Sequence, residues 1–179
     1  METDDFAAAS DYLGIEGYRP QFQRGVDAIA RSHGPRLLDL VGRDLNRSRL
    51  VWDAESGEWV ADAPVVLEFT GAQLEVQHNK FDELSLTWGR IDTARPVDFL
   101  DSDWGWRDGA LERLVALEGR TVLDVELLEW RGGDMADGSV AVSLIFGAGD
   151  RLTIFNALDE NGVEFDTPPP AYRSCRLAG

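Results

Sequence analysis

Short stretches of alternating hydrophobic and polar residues predict β-strands in this chain. In the segment VVLEF the side chains of Val65, Leu67 and Phe69 fall on one face of an extended backbone, and Leu152 and Ile154 do the same in RLTIF. The glycine-bearing segment TGA follows VVLEF, and GAGD precedes RLTIF. Turns of this composition connect antiparallel strands in hairpins. The pattern therefore predicts antiparallel sheet.

Two shorter segments have the helical spacing of apolar residues at i, i+3 and i+4. Gly34 and Gly119 follow them, and glycine commonly ends a helix. Asp108 is a candidate N-cap for the second helix. The apolar positions are Val26, Ile29 and Ala30 in the first segment and Leu111, Leu114 and Val115 in the second. One short helix is therefore predicted ahead of each group of strands.

The two groups of strands have similar sequences. Residues 65–88 and 142–165 share six identical residues in 24 aligned positions, and residues 34–40 resemble residues 119–125 at a different offset. A repeat of this length indicates two copies of one structural unit. We therefore predict an α+β protein, predominantly β, in which a helix plus an antiparallel β-meander is duplicated in tandem about a pseudo-twofold axis. A β-barrel with two short outer helices is the alternative.

The repeat divides the chain into four parts. The first unit covers residues 1–89 and contains an extra hairpin near residues 49–61. A connection covers residues 90–106, the second unit residues 107–165, and a proline-rich C-terminal tail residues 166–179. Each unit alone is too small to bury a sufficient core, so the two are expected to form one compact globular body.

Charge is the strongest feature of the composition. The chain has 33 acidic and 17 basic residues and a formal net charge of −16 at pH 7. Nucleic-acid binding requires a basic surface, so nucleic acid is not expected as a ligand. Anionic membranes are excluded on the same ground. The charge permits a basic protein partner, although solubility alone also explains it.

The sequence gives no sign of export or of a redox site. It contains no apolar run of about 18 residues and no secretory pattern. Cys175 is the only cysteine, which excludes an internal disulfide and favours a cytoplasmic location. Its neighbours Arg173 and Arg176 could activate the thiol, but an incidental tail cysteine is the favoured interpretation.

Two acidic segments at the ends of predicted strands are candidate binding sites. Oxygen ligands at such spacing could hold a hard cation. Asparagine and aspartate also stabilise tight turns through their own backbone, and this interpretation is favoured; no metal is expected. The candidate residues are Asn79, Asp82 and Glu83 in the first segment and Asn156, Asp159 and Glu160 in the second.

Catalytic chemistry has weak support. His78 lies near Asp82, and the two could act as an acid/base couple. His33 is expected in the last turn of the first helix, where the helix dipole favours a cation. The chain has no nucleophile motif, no phosphate-binding loop and no ligand spacing typical of zinc. No cofactor is predicted, and a non-catalytic protein is favoured over an enzyme.

The tryptophans offer a more specific hypothesis. Trp104 and Trp106 lie in the segment DSDWGWRDG, close to Asp101 and Asp103. Aromatic residues within a polar rim are typical of interface hot spots. They could instead cover the joint between the two halves, or stack on a ligand.

These observations lead to one functional hypothesis and two alternatives. The first is an acidic, non-catalytic interaction protein with a basic protein partner, similar in charge and size to bacterial inhibitor or immunity proteins that neutralise basic nucleases. The second is a small-ligand or enzymatic site in the cleft between the two halves, built from His78, Asp82, Trp104 and Trp106. The third is a structural subunit or homodimer.

Overall fold

Two antiparallel β-sheets share one hydrophobic core in the computed structural model of the chain, which describes residues 11–147 and 149–177. The first half contains a 3₁₀ turn (Tyr12–Gly14), β1 (Gln23–Arg24), α1 (Val26–Leu38), β2 (Leu45–Asp53), β3 (Glu58–Trp59), β4 (Val65–Phe69), β5 (Ala72–Asn79) and β6 (Glu83–Trp88). The rest contains β7 (Trp104–Asp108), α2 (Glu112–Val115), β8 (Asp124–Trp130), β9 (Val140–Gly147), β10 (Asp150–Asn156), β11 (Asn161–Glu164) and β12 (Tyr172–Arg176).

The first sheet has the strand order β1-β6-β5-β4-β2-β3, with β7 also paired to β2. β4 and β5 form a tight hairpin in which Val65 lies opposite Val76. β2 and β3 form a second hairpin, in which Trp52 lies opposite Trp59. The segment near residues 49–61 is thus a hairpin at one end of the sheet.

The second sheet has the strand order β11-β10-β9-β8-β12. β12 comes from the proline-rich tail and pairs antiparallel with β8 over its whole length. The tail therefore lies along the body of the protein as an edge strand.

The main core lies between the sheets. The alternating residues Val65, Leu67 and Phe69 of β4 point into it from the first sheet, and Leu152 and Ile154 of β10 point into it from the second. All five side chains are buried. The alternation that predicted these strands is therefore the alternation that fills the core.

Backbone pairing also joins the two halves. The backbone N–H of Gly42 donates to the carbonyl of Val122 at 2.8 Å, and that of Leu123 donates to the carbonyl of Ile145 at 2.7 Å. Residues 119–123 therefore connect the start of β2 with β9.

A second hydrophobic cluster covers the other face of the first sheet. Val51 of β2 and Val66 of β4 point into it, opposite to their neighbours in the main core. The cover comes from the segment around Ile15 and Tyr18 and from the connection that contains Ile91. Both faces of the first sheet are thus buried, which explains why β4 reads VVLEF with Val66 apolar as well.

The predominantly β, antiparallel architecture with two helices is confirmed. The barrel alternative is wrong, because within residues 11–147 and 149–177 the two sheets are separate and remain open. The strand orders β6-β5-β4-β2 and β11-β10-β9-β8 are equivalent, but the internal duplication itself stays a prediction.

The helix boundaries differ from those expected. α1 runs through Gly34 and Pro35 to Leu38, because Leu37 is completely buried in the main core and keeps the last turn in place. α2 is a single turn whose N-cap is Leu111 and not Asp108, and it ends at Val115, four residues before Gly119. No helix in the described part of the chain is long and apolar enough to cross a membrane.

Candidate functional site

A concave surface lies on the face of the second sheet that points away from the core. Leu152 and Ile154 of β10 point inward, so Thr153 and Phe155 point to the opposite face. Trp130, at the end of β8, also reaches this face. Trp130 is not among the residues of the main core.

The C-terminal tail forms one wall of this surface. Tyr172 lies opposite Trp130 in the β8–β12 register, and the two rings pack edge to face with centroids 4.9 Å apart. The backbone N–H of Arg131 donates to the carbonyl of Ala171 at 2.9 Å. Pro168 and Pro169 continue the wall. The prolines restrict the backbone here, so the wall is held in shape before any ligand binds.

Together these residues enclose a cavity of about 560 Å³, which we call the aromatic pocket. Its size is within the range of about 300–1,000 Å³ that is typical of ligand sites. Its lining is Trp130, Asp134, Ala136, Ser139, Thr153, Phe155, Asn156, Ala157, Leu158, Glu164, Asp166, Thr167, Pro168, Pro169 and Tyr172.

The loop after β8 brings a carboxylate to the aromatic pocket. The indole Nε1 of Trp130 donates to Oδ1 of Asp134 at 3.0 Å, and the backbone N–H of Ala136 donates to the same oxygen at 2.9 Å. Two large apolar side chains lie nearby in solvent, Met135 in this loop and Leu158 in the β10–β11 turn, which are 72% and 59% exposed. The rim is thus both acidic and apolar.

Three carboxylates and no lysine or arginine are found among the described residues that line the aromatic pocket. Asp166 is paired with Arg113 at 2.9 Å, and the hydrogen bond from that guanidinium lowers the pKa of Asp166. Asp134 and Glu164 form no ion pair with a described residue. Burial raises the pKa of Tyr172 to about 12, so its phenol stays neutral. The pocket therefore combines aromatic walls with negative charge, an environment that favours a cation.

The two acidic segments, residues 79–83 and 156–160, which we call the first and second acidic tips, lie against each other. The backbone N–H of Lys80 donates to Oδ1 of Asp159, and Nδ2 of Asn156 donates to the carbonyl of Lys80 at 2.9 Å. Within the second tip, the N–H of Asp159 donates to Oδ1 of Asn156 at 3.0 Å, and the N–H of Ala157 donates to the carbonyl of Glu160 at 2.8 Å. Their side chains stabilise turns and join the two halves.

The carboxylates of the first tip are occupied by cationic side chains. Glu83 accepts hydrogen bonds from Arg24 at 2.8 Å and Lys80 at 3.2 Å, while Asp82 lies 3.3 Å from Arg24. Burial alone would raise the pKa of Glu83, but the hydrogen bonds from Lys80 and Arg24 outweigh burial and lower this pKa. Nδ2 of Asn79 also approaches Glu83, at 3.5 Å. The described residues contain no cluster of three or more acidic, histidine or cysteine side chains able to hold a metal ion.

His78 is a structural residue and does not pair with Asp82. Its side chain is buried in the interior, with Nδ1 3.0 Å from Oδ1 of Asn161 and Nε2 3.0 Å from the carbonyl of Val140. Burial lowers the pKa of His78, and the hydrogen bonds to Val140 and Asn161 only partly oppose this effect. The expected acid/base couple is therefore wrong, because Asp82 is bound to Arg24 at the surface.

Trp104 and Trp106 lie on β7 and pack against the second hydrophobic cluster. The ring of Trp104 stacks on Phe99, with centroids 4.7 Å apart and planes 13° apart. Asp101 and Asp103 are exposed beside them. The tryptophans therefore cover the outer face of the first sheet and not the joint between the halves.

The site expected between the two halves is not assembled. His78 lies in the interior, Asp82 on the surface beside Arg24, and the two tryptophans on the second cluster. The lining of the aromatic pocket comes from residues after 129 alone. The four residues named for a cleft site do not form one.

The remaining sequence candidates have structural roles. Cys175, on β12, packs against the main core. His33 accepts a hydrogen bond at Nδ1 from the indole of Trp88 at 3.3 Å. Burial, followed by the nearby charge of Arg36, lowers the pKa of His33.

Sequence reasoning missed the aromatic pocket, because its walls are distant in the chain. One signal was available: Trp130 and Phe155 sit at outward-facing positions of strands that alternate regularly. Comparison of the chain with protein-family models, curated proteins and solved structures gives no match. The functional argument rests on this geometry.

Proposed function

We propose that this protein is a non-catalytic interaction protein that binds a basic protein partner, and that the aromatic pocket receives an arginine or lysine side chain of that partner. The observation that carries the proposal is the pocket lining. It offers aromatic walls at Trp130, Phe155 and Tyr172 and carboxylates at Asp134 and Glu164.

The chemistry of such a lining suits a long cationic side chain. The aliphatic stem of arginine or lysine packs on apolar surface while its charged end reaches polar groups. A cation over an aromatic face contributes about 0.5–1 kcal/mol at an exposed site and about 2 kcal/mol when desolvated. Carboxylates at the rim add charge-assisted hydrogen bonds, and arginine can make two in parallel. Arginine is therefore the expected anchor.

The net charge supports the same partner class at longer range. A formal charge of −16 attracts a basic protein and raises its association rate. At physiological ionic strength the field decays over about 8 Å, so it acts on encounter and orientation. Binding strength must come from a local anchor, and the aromatic pocket supplies one.

The proposal is tested with a blocked Gly-Arg-Gly tripeptide and its citrulline analogue. Citrulline has nearly the shape of arginine without its charge. Titration is followed by NMR through the indole N–H of Trp130, assigned with a Trp130→Phe variant. We expect the arginine peptide to shift this signal in a saturable way and citrulline to bind roughly tenfold more weakly. Equal binding of both peptides, or no saturable shift, contradicts the proposal.

Matched variants separate the aromatic pocket from general acidity. Asp134→Asn with Glu164→Gln removes two charges at the pocket and keeps the hydrogen-bond acceptors. Asp101→Asn with Asp103→Asn removes two charges beside Trp104. Exposed charge pairs contribute about 0.2–1 kcal/mol each, so the first double variant should weaken binding roughly fivefold and the second should not. Equal effects would assign binding to overall charge.

We also propose that the chain arose by internal duplication. The equivalent strand orders of the two sheets support this idea, as do the Asn-x-x-Asp-Glu segments that begin at Asn79 and Asn156. A crystal structure tests it: the strands β2, β4, β5 and β6 should superpose on β8, β9, β10 and β11 by a rotation near 180°. A rotation far from twofold would overturn the pseudo-twofold relation.

A further inference from the structure

A second cavity, on the first half of the chain, has the opposite charge to the rest of the protein. It has a volume of about 480 Å³, and we call it the arginine pocket. It lies between residues 17–21, helix α1 and the end of β6. Its lining is Gly17, Arg19, Gln21, Ser32, His33, Arg36, Leu86, Thr87, Trp88 and Arg90. Among these described residues there are three arginines and no aspartate or glutamate.

This grouping of arginines is unusual for a chain with 33 acidic residues. Most arginines of the protein lie within 4 Å of a carboxylate, as Arg24 does. Arg36 and Arg90 form no ion pair with a described residue, although both are exposed and acids are plentiful. Guanidinium groups that no described carboxylate neutralises, such as those of Arg36 and Arg90, are available to bind an anion.

Contacts with the body of the protein hold the Arg36 side chain and the backbone at Arg90 in place. The guanidinium of Arg36 lies over the ring of Trp88, 5.5 Å from its centroid. The buried carboxylate of Glu75 accepts the backbone N–H of Arg90 at 2.8 Å and the hydroxyl of Thr87 at 2.6 Å. Glu75 is completely buried. The loop that carries Arg90 is therefore anchored to the interior of the first sheet.

Neutral donors complete the lining. Nδ1 of His33 accepts from the indole of Trp88, so in the neutral ring the proton is on Nε2. Oγ of Ser32 accepts from Nε2 of Gln23 at 2.9 Å, which leaves its own hydrogen available to a ligand. Phosphate groups are commonly bound by hydrogen-bond donors together with guanidinium groups that have no carboxylate partner.

We propose that the arginine pocket binds a small molecule through a phosphate group. Arg36 and Arg90 supply the charge, with the planar fork that matches phosphate oxygens, and His33 and Ser32 supply neutral donors. The site lies on the first half, whereas the aromatic pocket is lined by residues after 129. The two proposals therefore stand or fall separately.

The experiment uses pyrophosphate as the probe and the full chain. NMR follows the indole N–H of Trp88, assigned with a Trp88→Phe variant, and the ring signals of His33. We expect saturable shifts of both residues below about 10 mM pyrophosphate at physiological salt. The bound anion should also raise the pKa of His33, because a negative charge favours the imidazolium.

Charge-matched variants provide the control. Arg36→Gln with Arg90→Gln removes two charges from the arginine pocket. Arg107→Gln with Arg176→Gln removes two charges from exposed positions outside the lining of this pocket. The first double variant should weaken pyrophosphate binding at least about tenfold, and the second should leave it within about twofold. Urea midpoints of both variants show whether either has lost its fold.

Three results overturn the proposal. The first is the absence of saturable shifts at Trp88 and His33 in the unmodified protein, a readout that needs no variant. The second is equal weakening in both double variants, which would assign binding to net charge. The third is citrate binding as tightly as pyrophosphate, which would assign the pocket to carboxylates and not to phosphate.

Discussion

Replacing Asn161 with alanine tests how the two halves are joined. Asn161 is 1% exposed at the start of β11. Its Oδ1 accepts the backbone N–H of His78 at 2.9 Å and lies 3.0 Å from Nδ1 of the same residue. Its Nδ2 donates to the carbonyl of Ala63 at 2.8 Å. One side chain of the second half thus serves three polar groups of the first half.

The expected loss follows from those partners. Alanine leaves the N–H of His78 and the carbonyl of Ala63 without a partner in the interior. The neutral ring of His78 can place its one proton on Nε2, facing Val140, so it adds little to the loss. A buried polar group left without a partner costs about 1–3 kcal/mol, so Asn161→Ala should reduce the free energy of unfolding by about 4 kcal/mol. In a chain of this size that corresponds to a fall in Tm of roughly 8–16 °C.

Urea denaturation followed by circular dichroism measures this loss. The matched control is Asn46→Ala, since Asn46 is exposed and, among the described residues, its side chain bonds only Thr70, at 3.3 Å. That substitution should change the free energy of unfolding by less than about 0.5 kcal/mol. The reasoning is refuted if Asn161→Ala costs no more than Asn46→Ala at an unchanged m-value.

Two further predictions concern pH and a close backbone contact. The pKa values of His33 and His78 are lowered in the folded protein, whereas in the unfolded chain a histidine has a pKa of about 6.5. The unfolded chain therefore binds more protons, and the free energy of unfolding should fall as the pH is lowered from about 7 to about 5. Urea midpoints that stay constant over this range would contradict the prediction. A Cβ atom on Gly14 would lie 2.0 Å from the carbonyl oxygen of Asp98, whereas one on Gly17, which has a similar positive φ, would meet no atom of a described residue within 4 Å. Both alanine variants carry the strain of about 1 kcal/mol for this backbone conformation, and Gly14→Ala should lose roughly 2 kcal/mol more in thermal unfolding; equal losses would show that the contact can relax.

The strands of the main core were predictable because burial on one face leaves a period of two in the sequence. Val65, Leu67 and Phe69 show that period, and so do Leu152 and Ile154. The second cluster was not predictable in the same way. Its cover comes from residues near Ile15 and from the connection after β6, which have no regular period.

The role of His78 depended on a contact that sequence spacing does not encode. Asp82 is four residues away in the chain, whereas Asn161 is 83 residues away and forms the hydrogen bonds. A β-hairpin turns between His78 and Asp82, so nearness in sequence places them in different environments. The acidic tips form turns, and their contact through Asn156 and Lys80 is visible only in the fold.

The aromatic pocket shows the same limit. Phe155 and Trp130 can be assigned to an outer face by alternation, but their neighbour Tyr172 comes from a proline-rich tail. Three prolines in that tail predict an extended chain, which fits an edge strand as well as a loose end. The pairing of β12 with β8 makes the tail an edge strand, and this pairing depends on tertiary contacts that the sequence does not show.

The most direct test of the proposed function is to locate the bound cation. Intermolecular nuclear Overhauser effects are measured between the side chain of the Gly-Arg-Gly peptide and the aromatic protons of the protein. We predict contacts from the arginine methylene protons to the rings of Trp130 and Tyr172, because these rings wall the aromatic pocket. Contacts to Trp104 and Trp106 in their place would contradict the account and would return the binding site to the acidic segment around Asp101 and Asp103.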